Sequence, residues 1–333
     1  MIPDPSFAHL IALSQPDGLV SRLASSDHRY RVEGAAGALV AVCRERTPSA
    51  PLVELARTSF RLLADAQGID GTVRSERTER GRWRGDRHPG DAWARSVGAF
   101  ATAAGSGPDP WMREAGRVHA RRGLAARSTS VRSMAIAALG AAELVAIDRH
   151  HPPARALLVD AVAAIGPRRD DPAWPWPSDR VDAMAAVVPD ALLAAGAVLG
   201  RPDVVDDGLA LLGWLVDRET ASGHLSPTPD GGRVRSDPLA GFDQRPVDVA
   251  ALAAACTRAA ALTGDRRWIA TLEQAWQWFA GANDLDVPLW HADAGACAGR
   301  LTGTGPSADH DAEATLALIS TLQCGRLVAA ALG

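Results

Sequence analysis

Apolar residues recur at spacings of three and four along almost the whole chain, and Gly, Pro or Asp interrupts them at short intervals. That period belongs to amphipathic helices, because side chains three and four apart share one helix face. The pattern predicts an all-α chain of about twelve helices, over roughly 5–14, 31–45, 51–67, 90–104, 109–126, 129–148, 153–166, 180–199, 203–218, 246–263, 266–281 and 311–331. Strand-like alternation is almost absent. Taken in pairs, twelve helices repeat about every 50 residues, the mark of a helical array in which each hairpin buries its apolar face only against its neighbours. Such an array can stay open as a solenoid or close into a ring. Long polar connections such as DGTVRSERTERGRWRGDRHPGD and SGHLSPTPDGGRVRSDPLAGFD alternate with short ones such as LGRPDV and TGDRRW, which favours closure. In a ring that alternation gathers the elaborate loops on one face, around a concave, aromatic-lined mouth that is the default binding site. Gly/Pro clusters recur throughout and none marks a linker, so the expectation is a single domain over 1–333.

Composition narrows the chemistry. An apolar content of 47% supports a sizeable core, and a net charge of −4 creates no field that would draw the chain to nucleic acid or an anionic membrane. All 35 basic residues are Arg; the absence of Lys excludes Schiff-base chemistry and lysine-dependent phosphate loops. The four cysteines, Cys43, Cys256, Cys297 and Cys324, form no C-x-x-C pair, so buried thiols in a reducing compartment are expected, with no metal and no cofactor. No basic leader and no uninterrupted bilayer-length apolar run is visible, which leads to a cytoplasmic expectation and no membrane partner. G-x-S-x-G, G-x-G-x-x-G after a strand, and Cys/His pairings are missing, which disfavours serine hydrolases, nucleotide-dependent dehydrogenases and thiol proteases.

One polar knot stands out. In LAGFDQRPVDVAALAAAC, from Leu239 to Cys256, Asp243, Gln244 and Arg245 precede Pro246 and an alanine-rich helix. Pro suits the first helical position, and Asp or Gln just before it can serve the free amides there, so a helix cap is one sufficient reading.

Several stretches resemble a bacterial family of helical proteins associated with glycosyltransferases. They are WPWP from Trp174, VVPDALLAAG from Val187, GLALLGWLVDRETASGHLSP from Gly208, FDQRPVDVAA from Phe242, TGDRRW from Thr263, WFAGANDLDVPL from Trp278 and DAEATLALISTL from Asp311. YRVEGAAGALVA from Tyr30, ARSVGAFA from Ala94 and SVRSMAIAALG from Ser130 extend the likeness more weakly into the N-terminal half. The resemblance implies the six-hairpin (α/α)6 toroid of many glycosidases and sugar epimerases, and either a sugar ligand or a glycosyltransferase partner. The chain departs from the family pattern at Glu33 to Gly37, at Ser178, Ala183 and Ala185 after the W-x-W, and across Ser307 to Thr315, where small residues replace much polar lining. Either the pocket holds a different ligand or the chemistry has gone.

Glycoside hydrolysis needs two carboxyl groups across the sugar, about 6.5–9.5 Å apart with an intervening water and about 5–5.5 Å apart for direct attack. Asp243 and Glu313 are the candidate catalytic pair, both at starts of helices that a toroid would gather at its mouth; a dipole-favoured cap and an Arg partner are their plainer readings. Trp174 and Trp176 are candidate sugar platforms, since an indole offers a flat apolar face and one N–H, though each also suits a core. Gln244, Arg245, His224, Trp83 and Asp86 complete the candidate substrate contacts. The run from Arg74 to Arg87 around the last two carries both signs of charge and reads as an internally paired loop. Two functions follow: a carbohydrate-active or carbohydrate-binding toroid with glycosidase-like two-carboxylate chemistry, or a catalytically degenerate toroid serving a glycosyltransferase as partner or scaffold.

Overall fold

A computed structural model describes residues 2–21, 29–237 and 241–332, so Leu239 and Ala240 of the polar knot lie outside the described residues. The helices are α1 (Ala8–Leu13), α2 (Val32–Cys43), α3 (Ala50–Ala66), α4 (Asp91–Ser106), α5 (Pro110–Gly123), α6 (Val131–Ile147), α7 (Pro152–Ile165), α8 (Val187–Leu199), α9 (Pro202–Glu219), α10 (Pro246–Thr263), α11 (Arg266–Ala280) and α12 (Ala312–Leu332). Two ends differ from the periodicity. The first helix is shorter than 5–14 because Ser14–Gln15 turns back to pair with Gly18–Leu19. The segment expected over 180–199 starts helically only at Val187: Arg180–Val181 pairs antiparallel with Arg233–Val234, and Met184 takes φ 58°, a left-handed conformation that no right-handed helix contains.

Short strands also occupy the long connections, in Arg29–Arg31, Glu76–Thr78 and Trp83–Arg84, in Trp290–His291 with Ala296–Cys297, and in Leu301–Thr302 with Gly305–Pro306. At two or three residues each they carry no readable alternation, which is why the sequence shows none.

The chain divides into two compact units. In the unit of residues 9–164 and 197–200, α2 packs on α4 and α4 on α6, while α3 and α5 lie against α2 and α4 and touch each other. The core holds Trp93, Phe100, Leu39 and Met112, all fully buried, and Phe60 meets Phe100 edge to face at 5.2 Å. α4 and α6 cross at two glycines: a Cβ on Gly140 would lie 2.6 Å from Gly98 Cα. Backbone atoms cannot yield as a side chain can, so Gly140→Ala is expected to cost about 1–3 kcal/mol by overpacking and to lower the thermal midpoint, with no change in helical circular dichroism.

In the unit of residues 1–8, 165–196 and 201–333, α10 packs on α11 and α12 and touches α9. α11 explains its own placement, since Trp268, Leu272, Ala275, Trp278 and Phe279 form one buried stripe at helical spacing. Asp265 starts this helix by accepting from Arg267 N at 2.9 Å, and Gly281, at φ 114°, ends it. α10 is, among the described helices, the one long and apolar enough to cross a membrane by length and composition, and 56% of it is buried inside the protein. All four cysteines are free and buried, and burial pushes the Cys43 thiol up to about 12.

Candidate functional site

The polar knot before α10 is not a side-chain cap. Pro246 does occupy the first turn, but Arg245 is the N-cap residue and makes no side-chain cap hydrogen bond. Gln244 is instead fully buried. Its backbone N–H and C=O both bond Leu301, at 2.9 Å each, so the knot is stitched to the segment that follows α11. The side chain serves both neighbours: Nε2 donates to Gly241 O at 3.0 Å and to Asp284 Oδ2, and Oε1 accepts from Trp278 Nε1 at 3.1 Å. A buried amide bonded at both ends is a fixed strut.

Asp284 is the hub on the other side of that strut. Its side chain is 8% exposed, and it accepts from His224 Nε2 at 2.8 Å and from Ser226 Oγ at 2.6 Å as well as from Gln244. Burial pushes its pKa up, but the hydrogen bonds from Ser226, His224 and Gln244 outweigh that and hold the carboxyl below its ordinary value. The His224 ring, 32% exposed, turns Nε2 to Asp284. His224 is thus part of a latch between two loops, not a surface group.

Asp243, next to Gln244, accepts from Arg300 Nη1 at 3.0 Å, and both side chains stay partly exposed, at 36% and 41%. The preceding peptide, Phe242–Asp243, is cis. Arg245 lies 3.1 Å from Asp230 Oδ1 and 3.5 Å from Asp248 Oδ2, an ion-pair cluster without aligned hydrogen bonds at Nε. Glu313 sits half-buried in the first turn of α12, and Asp311 caps that helix by accepting from Ala314 N at 2.7 Å.

Two carboxyl groups that the sequence reading passed over lie buried in the same unit. Glu219, at the end of α9, accepts from Thr228 N at 2.8 Å and Thr228 Oγ1 at 2.7 Å. Burial pushes it up to about 7, against the partial relief those bonds provide. Asp248, in the first turn of α10, accepts from Met184 N, and burial pushes it up to about 6 despite Arg245. Carboxyls poised near neutrality inside a polar cluster are the usual material of proton-handling sites. Only the acidic residue in RPVDVAA hinted at them, since burial is invisible in a local pattern.

The remaining sequence candidates divide between the units. Trp174 and Trp176 belong with the cluster's unit but are 2% and 4% exposed. Both indoles turn onto Trp214, at 5.2 Å and 5.9 Å, Arg218 lies over Trp174, and Trp174 Nε1 donates to Ser178 O at 2.8 Å. They brace the loop on α9 and present no open ring face. Trp83 and Asp86 belong to the other unit; Trp83 Nε1 donates to Asp65 Oδ2 at 3.1 Å, and Asp86 is exposed.

No protein-family model matches the sequence, and no curated protein matches it. Solved structures do match over essentially full length. A sugar epimerase from a ruminal bacterium is similar with a TM-score of 0.72 at 12% identity, over 98% of this chain and 97% of that one. The cellobiose 2-epimerase from Spirochaeta thermophila gives a TM-score of 0.72 at 12% identity, over 100% of this chain and 96% of the other. The chain is an (α/α)6 toroid. A D-mannose isomerase is also similar, with a TM-score of 0.68 at 11% identity over 96% and 95% of the two chains. At such identities the toroid fold is what is shared.

Proposed function

We propose that this protein is a carbohydrate-active toroid forming one domain over 1–333, with its sugar site at the loops that lead into α10 and α12. The observation that carries the reading is the half-exposed Asp243–Arg300 pair, set on a fully buried strut in a fold whose structural neighbours bear sugar epimerase, cellobiose 2-epimerase and mannose isomerase names. A carboxylate beside a guanidinium offers an acceptor and a donor to adjacent sugar hydroxyls, and charged partners make the stronger hydrogen bonds. Gln244 and Arg245 hold that pair in register, His224 and Asp284 lock the loop behind it, and Trp174 and Trp176 stiffen the neighbouring loop. Trp83 and Asp86, in the other unit, have no part in this reading.

In the catalytic form of this reading Asp243 and Glu313 act as the two carboxyls of glycosidase-like chemistry. In that chemistry one carboxyl serves as the acid and the other as the base, and Arg300 fixes the orientation of the Asp243 carboxyl. Asp243→Asn keeps the shape and removes the charge; it is expected to lower turnover on a cleaved or converted glycan by about a hundredfold or more, with little change in thermal midpoint. Full activity in that variant rules the catalytic role out. A sugar-binding toroid without chemistry, working beside a glycosyltransferase, is the second reading. It is favoured by Ala183 and Ala185, buried at 6% and 7% where the resembling family carries polar groups. It gains if the Asn variant loses sugar affinity while the unaltered protein turns over no glycan.

A further inference from the structure

Phe242 stands apart from the other four phenylalanines. Phe7, Phe60, Phe100 and Phe279 are 9% exposed or less, whereas Phe242 is 39% exposed. A lone exposed apolar side chain is ordinary on a loose loop, but this one is not carried loosely. Two residues on, Gln244 is fully buried, doubly bonded to Leu301 and bonded back to Gly241 O, so the backbone on both sides of Phe242 is tied down. The ring passes the hairpin turn at Gly303, where a Cβ would lie 3.7 Å from Phe242 Cδ2, so the missing side chain leaves that edge uncovered. The next residue in the chain is the acceptor Asp243, which takes the donor Arg300 at 3.0 Å.

We propose that Phe242 is the stacking platform of the sugar site and that the sugar it takes is a neutral pyranose. This rests on the reading of the Asp243–Arg300 pair as a sugar clamp. An exposed apolar ring followed directly in the chain by an acceptor–donor pair matches a pyranose, whose C–H groups form one face and whose hydroxyls project at the rim. Charge selects among sugars. Arg300 feels Asp243, Asp230 and Asp309, and Arg245 is held by Asp230. Four carboxyls, Asp230, Asp243, Asp248 and Asp309, against two guanidiniums favour a neutral ligand over a uronate, whose carboxylate would meet like charge.

The test is calorimetric titration of the full-length protein with cellobiose, D-mannose, D-glucose and D-glucuronate, on the unaltered chain and on Phe242→Ala, Phe242→Trp and Gly303→Val, with thermal midpoints alongside. At least one neutral sugar is expected to bind, with Phe242→Ala weakening it about tenfold and Phe242→Trp staying within about threefold. Gly303→Val, which fills the space beside the ring, is expected to weaken binding also, and it keeps the question answerable should the Ala variant misfold. D-glucuronate is expected to bind at least about tenfold more weakly than D-glucose. Neutral-sugar affinity unchanged in Phe242→Ala and Gly303→Val overturns the platform and leaves the sugar reading standing. Glucuronate binding as tightly as glucose overturns the neutral class. Binding of none of the four overturns both the platform and the reading it rests on.

Discussion

Thermal stability is expected to fall as the pH rises from about 5 to about 8, and Glu219→Gln is expected to remove much of that fall. Burial raises the Glu219 carboxyl from 4.5 to about 7. Between those values the unfolded chain has lost its proton while the folded chain keeps one, so unfolding gains from each step up in pH. Stability is therefore greatest below the unfolded pKa and is lost as the pH climbs through the folded one. At about 1.4 kcal/mol per unit the effect of Glu219 is about 3 to 4 kcal/mol. Asp248, raised from 3.8 to about 6, acts in the same direction over a lower window, and because the two carboxyls interact their effects do not simply add. Asp284 has the opposite sign: its folded carboxyl is held low, so its contribution is present above the ordinary value of 3.8 and is lost as the pH drops below it. These three carboxyls together favour about pH 4 to 5, while His119 and His291, held below 6.5 by burial, act the other way by gaining stability as the pH rises towards that value. Gln at 219 keeps the oxygen that accepts from Thr228 and imitates the protonated acid. A flat profile in the unaltered protein, or an unchanged slope in the Gln variant, counts against a neutral buried Glu219.

The largest loss of stability is expected from Gln244→Ala. Truncation takes the acceptor from Trp278 Nε1, a donor from Asp284 and the donor from Gly241 O in one step, in a place with no solvent access. An orphaned buried polar group costs about 1–3 kcal/mol, and cooperative networks lose more than one member's share, so about 3–5 kcal/mol is expected. Chemical denaturation followed by circular dichroism measures it. Gln244→Glu should be no better, since it sets a second carboxylate against Asp284. A loss below about 1 kcal/mol would mean that the strut is dispensable and that Phe242 and Asp243 are held by the backbone pairing with Leu301 alone.

Much of the fold was legible because helices announce themselves locally. The stripe Trp268–Leu272–Ala275–Phe279 and the start at Asp265 are contained within α11 itself. Pro246 likewise marked the start of α10. The errors came where distant chain intervenes: Arg180–Val181 reads as helix until it is paired with Arg233–Val234, more than 50 residues away. The site was half legible for the same reason. FDQRP drew attention by its polarity, and its residues do sit together at the start of α10. They do not cap α10 as a local reading allows, because that reading turns Asp243 and Gln244 toward the nearest free amides, whereas the folded chain offers them Arg300, Leu301, Trp278 and Asp284.

Sequence alone determined the number and succession of the helices, their Pro and Gly punctuation, and the absence of lysine chemistry, since these depend on residues within a turn or two of one another. Tertiary structure decided which carboxyls are charged and which side chains face solvent. Asp243 meets Arg300 across 57 residues and His224 meets Asp284 across 60, while Glu219 and Asp248 owe their raised pKa values to burial that no neighbouring residue in the chain imposes. The physical reason is that desolvation and ion pairing are set by everything within a few ångströms in space, and the chain order does not record that distance.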